Sequence, residues 1–336
     1  MGEGGVERSG GCGKLAAVGR RPSRRAPARA AAPGTEAIDI RTSDGWSLRA
    51  DVREPAGPPV GVAVLAHAMM ARRTEFDRPA GAGLVTTLVA RGWRVIAFDF
   101  RGHGDSGPGA GEGGRYGYDD FVTRDLPAVH EFARSRLRRR RPVVLVGHSL
   151  GGHVGLAAQG LERVSFDGIA CVAAGIWLRD LEPSPARWLV KRAALAGMVA
   201  VARRVGRFPA RLLRLGSDDE TRAYVEDFER FARTGAWTSA DGTLDYLAAL
   251  ARVRVPVLQM VSDGDRLACT PECGARFVAR CRGAHEVVRV TAADDGGPAP
   301  DHMGLVTGGR AAKAWDRVEA WMRRLASGGG AGAVAS

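Results

Sequence analysis

The sequence predicts an α/β protein built on a mostly parallel central sheet with helices on both faces, interrupted late in the chain by a helical insertion. Three observations carry this. Short apolar runs at 60–67 (VGVAVLAH), 93–100 (WRVIAFDF) and 143–146 (VVLV) alternate with stretches of helical spacing. Strands that are apolar at every position, rather than at alternate ones, are buried on both faces, as in a helix-covered parallel sheet. Residues 178–250 then break the rhythm with helix-prone sequence rich in Arg, Trp and Phe and with no clear strand.

In chain order, residues 1–34 are Gly, Ala, Arg and Pro without hydrophobic periodicity and read as a disordered leader. Order begins with a hairpin. Ile38 and Ile40 alternate with polar residues, and after an Asp44-Gly45 turn so do Trp46, Leu48, Ala50 and Val52. Pro55, Pro58 and Pro59 end that unit. The strand at 60–67 leads to a helix predicted over 76–91, with Pro79 in its first turn. The strand at 93–100, a Gly-rich loop and a helix over roughly 118–137 follow. The strand at 143–146 comes next, and a helix opens at Leu150, with His153, Leu156 and Ala157 at helical spacing. A strand at 166–175 precedes the insertion. After it come a strand at 253–263, a helix at about 271–281, a strand at 286–291, a loop holding His302 and a helix at about 311–325. The core is therefore 35–177 plus 251–326, the insertion 178–250 is a helical cap or lid, and the Gly/Ala tail 327–336 is flexible.

A chain of 336 residues with 45% hydrophobic content can bury a substantial core. Its formal net charge of +12 invites a nucleic-acid or acidic-membrane reading. The composition of that charge argues otherwise. Only Lys14, Lys191 and Lys313 are lysines among 49 basic residues, and arginines concentrate in the leader and in the run Arg136 and Arg138 to Arg141. That pattern is solvated charge rather than a nucleic-acid surface. The cysteines, at 12, 171, 269, 273 and 281, are odd in number and form no CxxC pair. With only His285 near the last three, neither a disulfide framework nor a zinc site is expected, and neither a metal nor a cofactor. Reduced thiols suit a cytoplasmic protein. The run 193–202, bracketed by Arg192 and Arg203, is about half the ~20 residues a spanning helix needs. The leader lacks a secretory apolar stretch, and Val6 breaks a myristoylation pattern. Its Arg-rich, acid-poor composition resembles a transit peptide or an extended start, and both readings stay open.

The chemistry centres on Ser149. It is the third residue of Gly147-His148-Ser149-Leu150-Gly151, where a strand turns into a helix. A serine in G-x-S-x-G at such a junction is a nucleophile elbow. The strained turn needs flanking glycines, and the helix N-terminus offers unpaired N–H groups to developing negative charge. A serine hydroxyl needs a base. His67, His103, His130, His148, His153 and His285 are less well placed than His302, which follows the last predicted strand. An acid should orient that histidine. Asp265 directly follows a buried strand, and Asp263, two residues earlier, is its rival.

These residues resemble the α/β-hydrolase superfamily over about residues 35–326. The chain order Ser149, Asp265, His302 is that of the fold. The family's Asp-x-Arg-Gly-x-Gly-x-Ser segment stands unaltered at Asp99 to Ser106, and its His-Gly-x segment stands as His67-Ala68-Met69. The resemblance implies that the Met69 and Leu150 backbone N–H groups form the oxyanion hole. It also implies that Asp265, at the aspartate of the family's Gly-x-x-Asp pattern, is the acid. Gly102, Gly104 and Gly107 also spell G-x-G-x-x-G, but the segment runs into PGAGEGGRYG and cannot open the helix a dinucleotide site requires. The expected activity is serine hydrolysis of a carboxylic ester through an acyl-enzyme. A small acyl substrate is expected, a lysophospholipid or medium-chain ester suiting the lid. An acyltransferase, a thioesterase, another C–X hydrolase or a non-catalytic binder on the same fold are the alternatives. The apolar, arginine-ended helix near 188–205 could also rest on an anionic membrane, though packing on the core is the plainer reading.

Overall fold

The structure is a computed structural model that describes residues 1–2, 34–137 and 141–327. Most of the expected leader (3–33), Arg138 to Arg140 and the tail from 328 lie outside the described residues. The strands are β1 (Thr35–Arg41), β2 (Ser47–Arg53), β3 (Gly61–Ala66), β4 (Trp93–Phe98), β5 (Val143–His148) and β6 (Gly168–Val172). Two short strands, β7 (Arg207–Phe208) and β8 (Glu220–Thr221), precede β9 (Val257–Ser262) and β10 (His285–Val290). Eight of them form one sheet in the order β1-β2-β4-β3-β5-β6-β9-β10. The β1–β2 and β2–β4 pairs are antiparallel, and every pair from β4 to β10 is parallel.

The continuously apolar strands have a direct explanation in the packing. Successive side chains of a strand point to opposite faces. In β3, Val62, Val64 and Ala66 enter one core layer while Ala63 and Leu65 enter the other. In β5, Val143 and Leu145 face the first layer and Val144 and Val146 the second. A fully buried Val or Leu contributes about 1.5–3 kcal/mol, whereas an exposed ion pair contributes about 0–1 kcal/mol. The two apolar layers, rather than the many surface Arg–carboxylate pairs, therefore hold the sheet.

The helix predicted over 76–91 is shorter. A 3-10 turn covers Arg73–Asp77 and a true helix only Leu84–Ala90. Pro79, Gly81 and Gly83 lie between them, and a side chain at Gly83 would meet the Asp77 and Phe76 backbone within 2.6 Å, so the chain turns back on itself there. The helix expected at 118–137 is instead Tyr118–Asp120, a π turn at Phe121–Asp125 and an α-helix over Leu126–Ser135. The segment 178–250 does contain strands, since β7 and β8 pair antiparallel. Two residues each are too few for any periodicity to announce them.

Within that segment the Pro185–Val205 helix starts with Ser184 Oγ accepting the Arg187 N–H (3.3 Å) and stops at Gly206, whose φ is 85°. It buries one stripe, Lys191, Leu195, Val199 and Ala202, and leaves Leu189 and Val190 exposed. Lys191 is neutralised by the equally buried Glu182 at 2.8 Å. Val199 and Ala202 pack with Phe208, Ala210 and Val225 into a small core that Met69 and Met70 touch. The Arg222–Thr234 helix is capped by Thr221 Oγ1, which accepts the Tyr224 N–H (3.2 Å). Among the described residues no helix is long and apolar enough to cross a membrane.

Candidate active site

Ser149 sits between β5 and the Leu150–Gly160 helix with φ 49° and ψ −107°. A non-glycine residue in that region carries strain of order 1–3 kcal/mol and must be held there. The holding is visible. Its own N–H donates to Val172 O at the end of β6 (2.8 Å), and its carbonyl accepts from Gly152 and His153. Its side chain makes no helix-capping bond. The neighbouring glycines have a steric reason. A Cβ at Gly147 would lie 2.4 Å from Gly151 C and Gly152 N, and one at Gly151 would lie 2.1 Å from Ala66 O.

His302 comes from the loop after β10. Its Nδ1 lies 2.5 Å from Asp265 Oδ2. Asp265 follows β9 and is buried, and its carboxylate also accepts the N–H groups of Ala268 (2.9 Å) and Cys269 (3.0 Å). Burial by itself would raise the Asp265 pKa, but the His302 contact and these N–H donors outweigh it and hold the carboxyl below its ordinary range. Asp263, the rival acid, points elsewhere and pairs with Arg289 at 2.6 Å. The His302 loop reaches the elbow through the residue before the serine. The His148 and His302 rings are 5.0 Å apart, and His148 Nε2 lies 3.1 Å from the His302 carbonyl oxygen.

The loop after β3 carries Met69. Ala68 O accepts from His67 Nδ1 at 2.7 Å, while His67 Nε2 accepts the Phe100 N–H at 3.0 Å, which fixes the tautomer. Burial keeps that imidazole neutral, well below its ordinary pKa. Because a trans peptide points its N–H opposite to its C=O, the grip on Ala68 O also sets the direction of the Met69 N–H. The neighbouring N–H groups are committed, Ala68 to Glu75 Oε1 (3.1 Å), Met70 to Glu220 Oε1 (2.6 Å) and Ala71 to Ala68 O (3.2 Å). Those of Met69 and Leu150 have no acceptor among the described residues. Met70, not Ala68, takes the left-handed backbone, at φ 60°, so alanine is accommodated at the position where the resembled family has glycine.

The other histidines serve the frame. His153 meets the Tyr118 hydroxyl (2.9 Å), and burial lowers its pKa to about 3. His130 lies beside Ser165, and His285 is exposed on the edge strand β10. The Asp99 to Ser106 segment is a structural knot. Buried Asp99 accepts the N–H groups of Arg73 (2.7 Å) and Asp105 (3.0 Å), and Ser106 Oγ donates to Asp99 O (2.7 Å). Arg101, also buried, pairs with Asp125 (2.7 Å) and Asp44 (2.9 Å) over the Trp46 ring. Gly102 and Gly104 thus belong to a loop folded around its own aspartate. Cys269 Sγ donates to Ala174 O (3.3 Å), and burial raises the thiol pKa values of Cys171, Cys269, Cys273 and Cys281.

Two buried acids carry no sequence motif and emerge only in the fold. Glu220, from the inserted segment, joins Met70 N–H to His103 Nε2 (3.0 Å). Glu75 joins Ala68 N–H to His148 Nδ1 (2.9 Å). A cavity of about 300 Å³ is lined by Glu75 with Met69, Met70, Leu215 and Met303 and by Arg72, Arg78 and Arg214.

Comparisons with known proteins agree with this architecture. The family model for serine aminopeptidase, S33, matches residues 58–292. Searching curated proteins gives no match. Among solved structures, Est1E from Butyrivibrio proteoclasticus with ferulic acid bound has a TM-score of 0.59 at 17% identity, over 86% of this chain and 99% of that one. The esterase EaEST from Exiguobacterium antarcticum gives 0.56 at 18%, over 86% and 100%. The esterase domain of a Rhodothermus marinus protein gives 0.52 at 21%, over 86% and 98%. At these identities the likeness is one of fold. With a parallel sheet, a serine elbow after β5 and a family match over most of its length, the chain belongs to the serine aminopeptidase S33 family and is an enzyme of the α/β-hydrolase superfamily.

Proposed function

We propose that the protein is a serine hydrolase that cleaves carboxylic esters of a short- to medium-chain acyl group through an acyl-enzyme. The observation that supports this most is the 2.5 Å contact of His302 Nδ1 with buried Asp265, beside an elbow that holds Ser149 at φ 49°. His302 takes the Ser149 hydroxyl proton on Nε2 as Oγ attacks the ester carbonyl. Asp265 accepts from Nδ1–H and stabilises the imidazolium that forms. The Met69 and Leu150 N–H groups receive the oxyanion, and with no acceptor among the described residues they are available to it. The proton then passes from Nε2 to the departing alkoxide. Water, deprotonated by His302, attacks the acyl-enzyme and releases the acid. The cavity against the Met69 loop offers Met69, Met70, Leu215 and Met303 to an apolar acyl chain, beside the polar Arg72, Arg78 and Arg214.

A fluorophosphonate probe should label the full chain, and Ser149→Ala should abolish both labelling and hydrolysis of a panel of esters varied in chain length. Well-folded protein that neither labels nor hydrolyses, or labelling that survives Ser149→Ala, would overturn the proposal. Preference for thioesters or acyl transfer to an alcohol over hydrolysis would move the reading to those reactions.

A further inference from the structure

Glu75 and His148 are 73 residues apart, both buried, and neither belongs to the triad. Together they make a continuous bridge. Glu75 Oε1 accepts the Ala68 N–H (3.1 Å) and contacts His148 Nδ1 (2.9 Å), while His148 Nε2 contacts the His302 carbonyl oxygen (3.1 Å). One end of the bridge therefore grips the residue before the Met69 oxyanion donor. The other end grips the backbone of the histidine proposed as base. His148 itself directly precedes Ser149.

The proton arrangement follows from the partners. A carbonyl oxygen only accepts, so His148 Nε2 must carry hydrogen. Glu75 Oε1 faces Nδ1 while already accepting from Ala68, so a second proton lies between Nδ1 and that oxygen. The bridge works only with both protons in place. Glu75 Oε2 is buried without a partner among the described residues. Such an oxygen costs stability, which argues that the carboxyl is kept for something other than stability.

We infer that the Glu75–His148 pair is a positioning device that sets the His302 loop relative to the Met69 oxyanion loop through one doubly protonated bridge. This rests on the triad reading above. Glu75 also borders the cavity assigned to the acyl chain, but in this role both side chains act on the geometry of the groups that react rather than on the reacting atoms. Reaction geometry is steep in distance, since a displacement of about 1 Å costs on the order of a hundredfold in rate.

Glu75→Gln distinguishes this role from packing. A glutamine oxygen at Oε1 still accepts the Ala68 N–H and can accept from Nδ1–H. A neutral amide cannot hold both ends: with its oxygen toward Nδ1–H, His148 Nε2 loses the His302 carbonyl, and with its NH2 toward Nδ1 the Ala68 N–H loses its acceptor. In the full chain, Glu75→Gln should lower kcat roughly ten- to a hundredfold with KM little changed and the thermal midpoint retained. His148→Asn should do the same. The double variant should be no slower than the slower single one, because the two residues form one bridge. Wild-type kcat in both single variants, or effects that multiply in the double, would overturn the inference. If the variants do not fold, 15N NMR of the wild-type His148 ring decides. A protonated Nε2 is expected, and a bare Nε2 overturns it. Wild-type protein that neither labels with fluorophosphonate nor hydrolyses esters would instead defeat the triad reading, so the two failures are separable.

Discussion

His103 is a buried histidine whose charge ties the inserted segment to the core, and the stability of the fold should follow its titration. Its Nδ1 faces the Arg101 carbonyl and its Nε2 faces the Glu220 carboxylate, each at 3.0 Å. Both partners only accept, so both ring nitrogens carry hydrogen and the ring is an imidazolium. Burial alone would lower its pKa from 6.5, but the Glu220 charge and hydrogen bond, with Asp218 beyond, push it up to about 9. At ~1.4 kcal/mol per pH unit, that difference is worth on the order of 3 kcal/mol of folding stability. The folded pKa lies above the unfolded one, so the contribution is complete below 6.5 and shrinks as pH rises. It is gone above about 9. Urea unfolding of wild type and Glu220→Gln, run between about pH 6 and about pH 9.5, isolates this effect from other titrating groups. Wild type should lose roughly 3 kcal/mol more than the variant across that window. Parallel stability curves for the two proteins would refute the charged assignment and with it the pairing of His103 with Glu220.

Further outcomes follow from the site and its supports. Asp265→Asn should lower kcat by about three to four orders of magnitude with KM little changed, because the histidine would lose its orienting acceptor. The Asp265 carboxyl is held below 3.8, so its stabilising share is present above that pH and vanishes as pH falls through the lower folded value. Acid titrations of wild type and Asp265→Asn should therefore converge at the acid extreme. Gly151→Ala places a Cβ 2.1 Å from Ala66 O, an atom of the strand backbone that cannot yield, and should destabilise by about 3 kcal/mol or more in urea unfolding. Gly197→Ala is the control. It is exposed in mid-helix with nothing within 4 Å of the new methyl, and should stabilise by about 0.5–1 kcal/mol.

The parts of this molecule legible in the sequence are those set by chain-local physics. Burial on both faces forces strands such as β3 and β5 to be apolar throughout, so they stand out as unbroken runs. The elbow is local at Gly147, where a Cβ would lie 2.4 Å from Gly151 and Gly152, whereas at Gly151 the obstacle is Ala66 O on β3. Where local signals conflicted, the reading failed. The apolar spacing at 76–91 suggested one helix, but Pro79, Gly81 and Gly83 divide it.

Choosing between Asp263 and Asp265 lay beyond composition and spacing. Both lie in the same turn after β9, and only the return of the His302 loop brings a ring against Asp265 while Asp263 meets Arg289. Glu75 and Glu220 had no signal at all. Their partners are His148, 73 residues away, and His103, 117 residues away, and a pairing at that separation leaves no trace in the neighbouring residues. The sequence alone determined a parallel α/β sheet and a serine on a strained turn, because backbone sterics and two-sided burial act between near neighbours. The resemblance points to Asp265, Met69 and Leu150; only the tertiary structure supplied the contacts around that serine, His302 against Asp265 and the buried Glu75–His148 and Glu220–His103 pairs, because hydrogen bonds in a buried site are made by whatever the folded chain brings within about 3 Å.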